Sequence, residues 1–231
     1  MYRQDFCGCK HSLTERLMSS KAFVFDADGT LFDTMWFYDR FVLEIMRLQG
    51  IDAPYQLREE TRGHTVKEAC EYMKEKYSLK KSVDELLEEC DAILVDFYKT
   101  KAPLKAGVKE FLLHAKEEGK KLCIATATDS FLIRYALRFH GIEDLFEFVM
   151  CCTEVGASKR ESKVYDDAVA ALGFQRKDAV VFEDAEYAVA TAKRAGYKVV
   201  AIEDKSQEKF KESIKSLCDI YVSSMEELII K

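Results

Sequence analysis

One stretch limits what this chain can be more than any other: Ala22-Phe23-Val24-Phe25-Asp26-Ala27-Asp28-Gly29-Thr30-Leu31-Phe32-Asp33-Thr34. Its apolar start, residues 22–25, predicts a short buried strand. The strand ends in two aspartates one residue apart, then a Gly-Thr turn. In an open α/β sheet, ligands bind at the carboxyl ends of the strands. A carboxylate placed there can attack a phosphorus atom and form a covalent acyl phosphate. A second carboxylate two residues on can carry a proton, and both can hold a hard cation through oxygen. A calcium loop is excluded, because its glycine belongs at the sixth position and Gly29 is fourth from Asp26.

After Thr34 the pattern turns helical. Apolar residues at 37, 41, 42, 45 and 48 predict a helix over 35–48. Shorter periodic runs predict helices over 57–62 and 66–77. Ser82-Val83-Asp84-Glu85 reads as a capping box that opens a long helix to about Thr100. No strand pattern occurs between residues 35 and 102. Beyond Pro103 strands and helices alternate. Strands are expected at 121–126, 146–152, 179–182, 197–202 and 220–222. Helices are expected at 107–118, 131–140, 163–172, 186–195, 207–217 and 225–230, and Gly119, Gly141, Gly173 and Gly196 close four of these six. The fold class is therefore α/β: a Rossmann-like parallel sheet with helices on both faces, carrying an inserted all-helical cap domain. The expected partition is an N-terminal extension over 1–20, a discontinuous α/β core over 21–34 and 103–231, and a helical cap over 35–102.

At 231 residues, with 48% hydrophobic and 12% aromatic side chains, the chain can bury a substantial core. A net charge of −6 argues against a nucleic-acid or anionic-membrane partner. No apolar run is long enough to span a bilayer and no signal peptide is visible, so the expected location is cytoplasmic. The eight cysteines include no Cys-x-x-Cys pair, which leaves a zinc site unsupported. Cys7 and Cys9 with His11 would leave tetrahedral zinc short of a ligand. Cys123, Cys151 and Cys152 fall in apolar runs and read as small core residues. Residues 1–20 carry no motif.

Asp26 through Thr34 resembles the first motif of the haloacid dehalogenase superfamily, Asp-x-Asp-Gly-Thr-Leu-x-Asp-[Ser/Thr]. Members with the second aspartate transfer phosphoryl groups, so the resemblance implies phosphate chemistry. The second expected core strand ends in Thr126, matching the family's second motif, and a hydroxyl there can donate to a phosphate oxygen. The third motif supplies a lysine that stabilises the charge of the phosphoryl group. Lys159 takes that place, with Tyr165 six residues on where the motif often has an aromatic. Arg160 and Ser162 stand for the motif's two prolines. Lys163 stands for its aspartate and competes with Lys159 for the role. Val180-Val181-Phe182-Glu183-Asp184 matches the fourth motif, with Ala185 and Ala188 in place of a serine and a glycine. Adjacent buried acids at a strand end need a cation or hydrogen-bond donors. Asp26, Asp28, Glu183 and Asp184 would make an oxygen site suited to Mg2+.

The resemblance covers residues 21–223 and implies a magnesium-dependent phosphatase acting on a small phosphorylated substrate. Asp26 would be the nucleophile and Asp28 the general acid and base. Thr126 and Lys159 would hold the phosphoryl oxygens, and the cap would close over the substrate. A phosphosugar mutase similar to β-phosphoglucomutase is the alternative. That family has a histidine twelve residues beyond the nucleophile, where this chain has Tyr38. Its cap carries Lys-Gly-x-Ser-Arg, which Arg62-Gly63-His64-Thr65-Val66 matches only in part. Arg62, His64 and Tyr38 are the candidate substrate contacts. A binding or regulatory protein on the same scaffold is a third reading, which no residue favours. Oligomeric state and substrate identity are not set by these residues.

Overall fold

The computed structural model describes residues 15, 19–61 and 66–229. Among the described residues, six strands form a single parallel sheet: β1 (Ala22–Phe25), β2 (Lys121–Thr126), β3 (Val149–Cys151), β4 (Ala179–Glu183), β5 (Lys198–Ile202) and β6 (Ile220–Val222). Their order is β3-β2-β1-β4-β5-β6. The chain therefore builds outward from β1 in one direction, then starts again at β4 and builds outward in the other. The reversal between β1 and β4 is the switch point at which open α/β sheets leave a crevice.

The helices are α1 (Met35–Leu48), α2 (Leu57–Glu60), α3 (Val66–Tyr77), α4 (Val83–Thr100), α5 (Val108–Glu117), α6 (Ser130–Phe139), α7 (Cys152–Val155), α8 (Lys163–Ala171), α9 (Glu186–Arg194) and α10 (Lys211–Leu217). Residues of β1, β2, β4 and β5 are almost all buried, which is why those strands read as continuous apolar runs. Side chains alternate between the faces. Ala22 and Val24, with Cys123, Val181 and Val199, pack against Val164, Tyr165 and Ala168 of α8, Val189 and Ala192 of α9, and Ile214 of α10. The intervening Phe23 and Phe25 point the other way. Phe25 stacks on Phe182 with ring centroids 4.4 Å apart, and Phe23 stacks on Phe111 of α5 at 6.1 Å. Each of these rings is buried, and burying one stabilises the fold by about 1.5–3 kcal/mol.

Residues Thr34–Ala102 form a compact helical unit of their own, and the α/β unit stops at Asp33 and resumes at Pro103. Within the helical unit, α4 opens with the expected capping box: Glu85 N–H donates to Ser82 Oγ at 3.2 Å, and Ser82 N–H to Glu85 Oε2 at 2.7 Å. Phe37 of α1 stacks on Phe97 of α4 with centroids 3.8 Å apart. Within the α/β unit, the two ends of the interruption lie side by side. Asp33 N–H donates to Pro103 O and Lys105 N–H to Leu31 O, both at 2.9 Å, and Phe32 bridges Leu104.

Four expected elements differ. The third strand is shorter than 146–152. Phe146 still belongs to the 3-10 turn at Glu143–Leu145, and Glu154 accepts from Cys151 N–H at 3.1 Å, which starts α7 at Cys152. The helix expected over 207–217 is a 3-10 turn, Lys205–Phe210, followed by α10, because Asp204 caps Ser206 N–H at 2.9 Å one turn early. The C-terminal helix is a 3-10 turn, Met225–Leu228, capped by Ser224. The helix expected over 57–62 spans Leu57–Glu60, and residues 62–65 lie outside the described residues. Cys123 and Cys151 are buried and Cys152 is half-buried; Cys7, Cys9 and His11 lie outside the described residues. No helix among the described residues is long and apolar enough to cross a membrane.

Candidate active site

Strand register brings the chemistry to one place. Phe25 pairs with Ile124 on one side and with Phe182 on the other. Asp26 therefore leaves β1 beside Glu183 and next to the end of β2, and its N–H donates to Phe182 O at 2.9 Å. Lys159 arrives from the loop before α8. It is buried, and its Nζ donates to Asp26 Oδ1 and, at 2.6 Å, to Glu183 Oε1. Tyr165 of α8 donates its hydroxyl to the same Glu183 oxygen at 2.7 Å. The other oxygen of Asp26, Oδ2, is buried and accepts no hydrogen bond.

Carboxyl oxygens of Asp26, Glu183 and Asp184 lie within 4.8 Å of one another, and all three residues are buried. Burial, with Asp26 beside it, pushes Glu183 up to about 7 even though Lys159 and Tyr165 pull the other way. Burial also holds Asp184 well above the usual carboxylate range. The charges of Asp26, Glu183 and Asp204 add to this, and Lys105 opposes it. Burial alone would lower Lys159, but its contacts with Asp26 and Glu183 more than offset that and raise it. One ammonium thus serves two of the three carboxylates, Asp26 and Glu183. The donors are all oxygen, which suits a hard divalent cation.

The neighbouring loops complete the site. Thr126 ends β2 buried, and its Oγ1 accepts from Thr128 N–H at 3.0 Å. Asp28 lies half-buried, and its Oδ2 accepts from Thr128 Oγ1 at 2.7 Å. The Asp28 carboxylate is thus directed to Thr128, while the oxygen cluster is drawn from the other three acids. Gly29 has a φ of +91°, and a Cβ there would lie 2.4 Å from Asp184 Oδ2. A bare, left-handed residue is what lets the turn close against that carboxylate. Thr30 Oγ1 donates to Asp184 Oδ1 at 3.4 Å. Behind the turn, Lys105 Nζ donates to Gly29 O and Glu203 O at 2.6 Å and to Asp204 Oδ2 at 2.9 Å.

Of the residues expected from sequence, Asp26, Lys159, Glu183 and Asp184 converge, with Asp28 and Thr126 bracketing them through Thr128. Lys163 lies on the surface of α8, paired with Asp167. Tyr38 is in the helical unit, its hydroxyl 2.8 Å from that of Tyr98. Arg62 and His64 lie outside the described residues. Sequence reasoning missed Thr30, Lys105 and Thr128. Thr128 carried a faint signal, a second hydroxyl two residues past a strand end. Lys105 carried none, since its partners are 76 to 99 residues away.

The chain matches the family model described as haloacid dehalogenase-like hydrolase over residues 23–202, and it belongs to that family. Hexitol phosphatase B of Escherichia coli K12 is 26% identical over 216 residues, which cover 91% of this chain and 95% of that protein. A Drosophila melanogaster protein named "Probable pseudouridine-5'-phosphatase" is 27% identical over 205 residues, covering 85% and 88%. The crystal structure of β-phosphoglucomutase from Clostridium difficile superposes with a TM-score of 0.70 at 20% identity, covering 91% of this chain and 94% of that one. That last likeness is one of fold.

Proposed function

We propose that this protein is a magnesium-dependent phosphatase that hydrolyses a small phosphorylated metabolite through an aspartyl-phosphate on Asp26. The observation that carries this reading is the state of Asp26. One of its oxygens is held by Lys159, and the other is buried without a hydrogen-bond partner at the carboxyl end of the central strand. A nucleophile needs one oxygen oriented and the other available. The relatives named as phosphatases match this chain across most of its length.

Asp26 attacks phosphorus along the direction fixed by its Lys159 contact. Thr126 donates its hydroxyl to a phosphoryl oxygen, and Lys159 offsets the charge that gathers on the equatorial oxygens. Asp28 gives its proton to the leaving oxygen as that bond breaks. It then takes a proton from the water that attacks the aspartyl-phosphate, and Asp26 is regenerated. Asp26, Glu183 and Asp184 would hold Mg2+, and the ion would neutralise phosphoryl charge there. Glu183 and Tyr165 keep Lys159 in place.

The test is phosphate release from a panel of phosphosugars, nucleotides and p-nitrophenyl phosphate, with and without Mg2+. The expected result is Mg2+-dependent release that Asp26→Asn lowers by about 1,000-fold or more. Release that survives in Asp26→Asn would overturn the reading. Isomerisation of a sugar 1-phosphate without net release would replace it with a mutase.

A further inference from the structure

The loop between β2 and α6 contains a residue that uses both of its hydrogen-bond donors on the site. Thr128 N–H donates to Thr126 Oγ1 at 3.0 Å, and Thr128 Oγ1 donates to Asp28 Oδ2 at 2.7 Å. These bonds tie the loop after β2 to the loop after β1, Thr128 and Asp28 being 100 residues apart in sequence. A hydroxyl-to-carboxylate bond of this kind is charge-assisted and roughly twice as strong as a neutral one. It fixes a short side chain that otherwise has two torsions to explore. The N–H contact occupies a lone pair of Thr126 Oγ1, so the single proton of that hydroxyl is the one it can give to an acceptor.

We propose that Thr128 is a positioning residue for the phosphoryl chemistry, acting through Asp28 and Thr126. Its hydroxyl holds the Asp28 carboxylate at the distance from which it exchanges a proton with the leaving oxygen and then with water. Its N–H turns the Thr126 hydroxyl toward the phosphoryl group. The loop that grips phosphate is thereby also the loop that aims the acid and base. This inference rests on the phosphatase reading above. A misplacement of about 1 Å at a reacting group can cost about 100-fold in rate.

Thr128→Val removes the hydroxyl and keeps both the branched shape and the N–H. With p-nitrophenyl phosphate and saturating Mg2+, Thr128→Val is expected to lower kcat about 30- to 100-fold and to change KM less than about threefold. Thr128→Ser is expected to restore kcat to within about threefold of the wild type. In an Asp28→Ala background, followed by single-turnover kinetics, Thr128→Val should cause no further loss, because the group it positions is gone. Wild-type kcat in Thr128→Val, or an equal fold-loss with and without Asp28, would overturn the proposal. Thermal unfolding of each variant identifies a folding defect, and in that case Thr128→Ser and the Asp28 background decide. Asp26→Asn run in parallel separates the two failures. If it stays active, the phosphatase reading falls; if it is inactive while Thr128→Val matches the wild type, only the role of Thr128 falls.

Discussion

Asp184 is compensated far less than its charge requires. Its side chain accepts one long hydrogen bond, from Thr30, and faces Asp26, Glu183 and Asp204 as nearby negative charges. Burial comes first among the causes that raise it. A carboxyl raised by folding binds its proton more tightly in the folded state than in the unfolded one. Its cost to stability is therefore absent below the free-carboxylate value of about 4 and grows as pH rises toward the folded value. Asp184→Asn removes that charge at constant size. The metal-free variant, in EDTA at pH 8, should unfold at a higher temperature than the wild type, by the equivalent of about 1–3 kcal/mol. The gap should narrow as pH falls toward 5. The same variant should lose most of the rise in Tm that Mg2+ gives the wild type. A wild type more stable than the variant in EDTA at pH 8 would contradict this account of the cluster.

At the level of single elements, the capping box of α4 offers a local test. Ser82→Ala deletes the hydroxyl that accepts from Glu85 N–H and should cost about 1 kcal/mol. The chain's single tryptophan, Trp36, lies in the same helical unit, edge-on to Phe97 of α4 at 5.8 Å. Its fluorescence therefore reports on that unit, and its urea midpoint should fall by about 0.3–1 M. An unmoved midpoint would mean that the box adds nothing to packing already in place. The box was legible in sequence because a cap is a local pattern. So were β1, β2 and β4, as unbroken apolar runs, and the helix ends at Gly141 and Gly196, which take φ of +63° and +87°. The third strand was overdrawn because Phe146 and Cys152 are apolar for other reasons: one closes a 3-10 turn and the other opens a one-turn helix. The site shows the same division. Asp26, Asp28, Thr126, Glu183 and Asp184 sit at or just beyond strand ends, where a motif can mark them. The Tyr165–Glu183, Thr128–Asp28 and Lys105–Gly29 bonds depend on register between distant segments, which no local pattern records.

For the whole molecule, the notable fact is where the interruption begins and ends. Asp33 and Pro103 are hydrogen-bonded neighbours, Phe32 bridges Leu104, and Lys105 bonds to Leu31. The α/β unit therefore already holds the two chain ends in an antiparallel arrangement that a short turn can close, and natural hairpin loops need about 2–5 residues. β1 pairs with β2 and β4, which both come after the interruption, so the central strand gains its neighbours only once the chain has returned. Nothing in that pairing uses residues 34–102. Replacing them with a four-residue Gly-Asn-based turn should leave a folded α/β unit with its oxygen cluster intact. If Mg2+ binds that cluster, a concentration 100 times its Kd stabilises the unit by about 2.7 kcal/mol. For a chain of this size, that is a rise of about 5–10 °C in Tm. The shortened protein should show this rise, lose it on Asp184→Asn, and retain slow turnover of p-nitrophenyl phosphate. A shortened protein that folds without the Mg2+ shift would show that the cluster depends on the helical unit, contrary to the contacts that hold Asp26, Glu183 and Asp184 together.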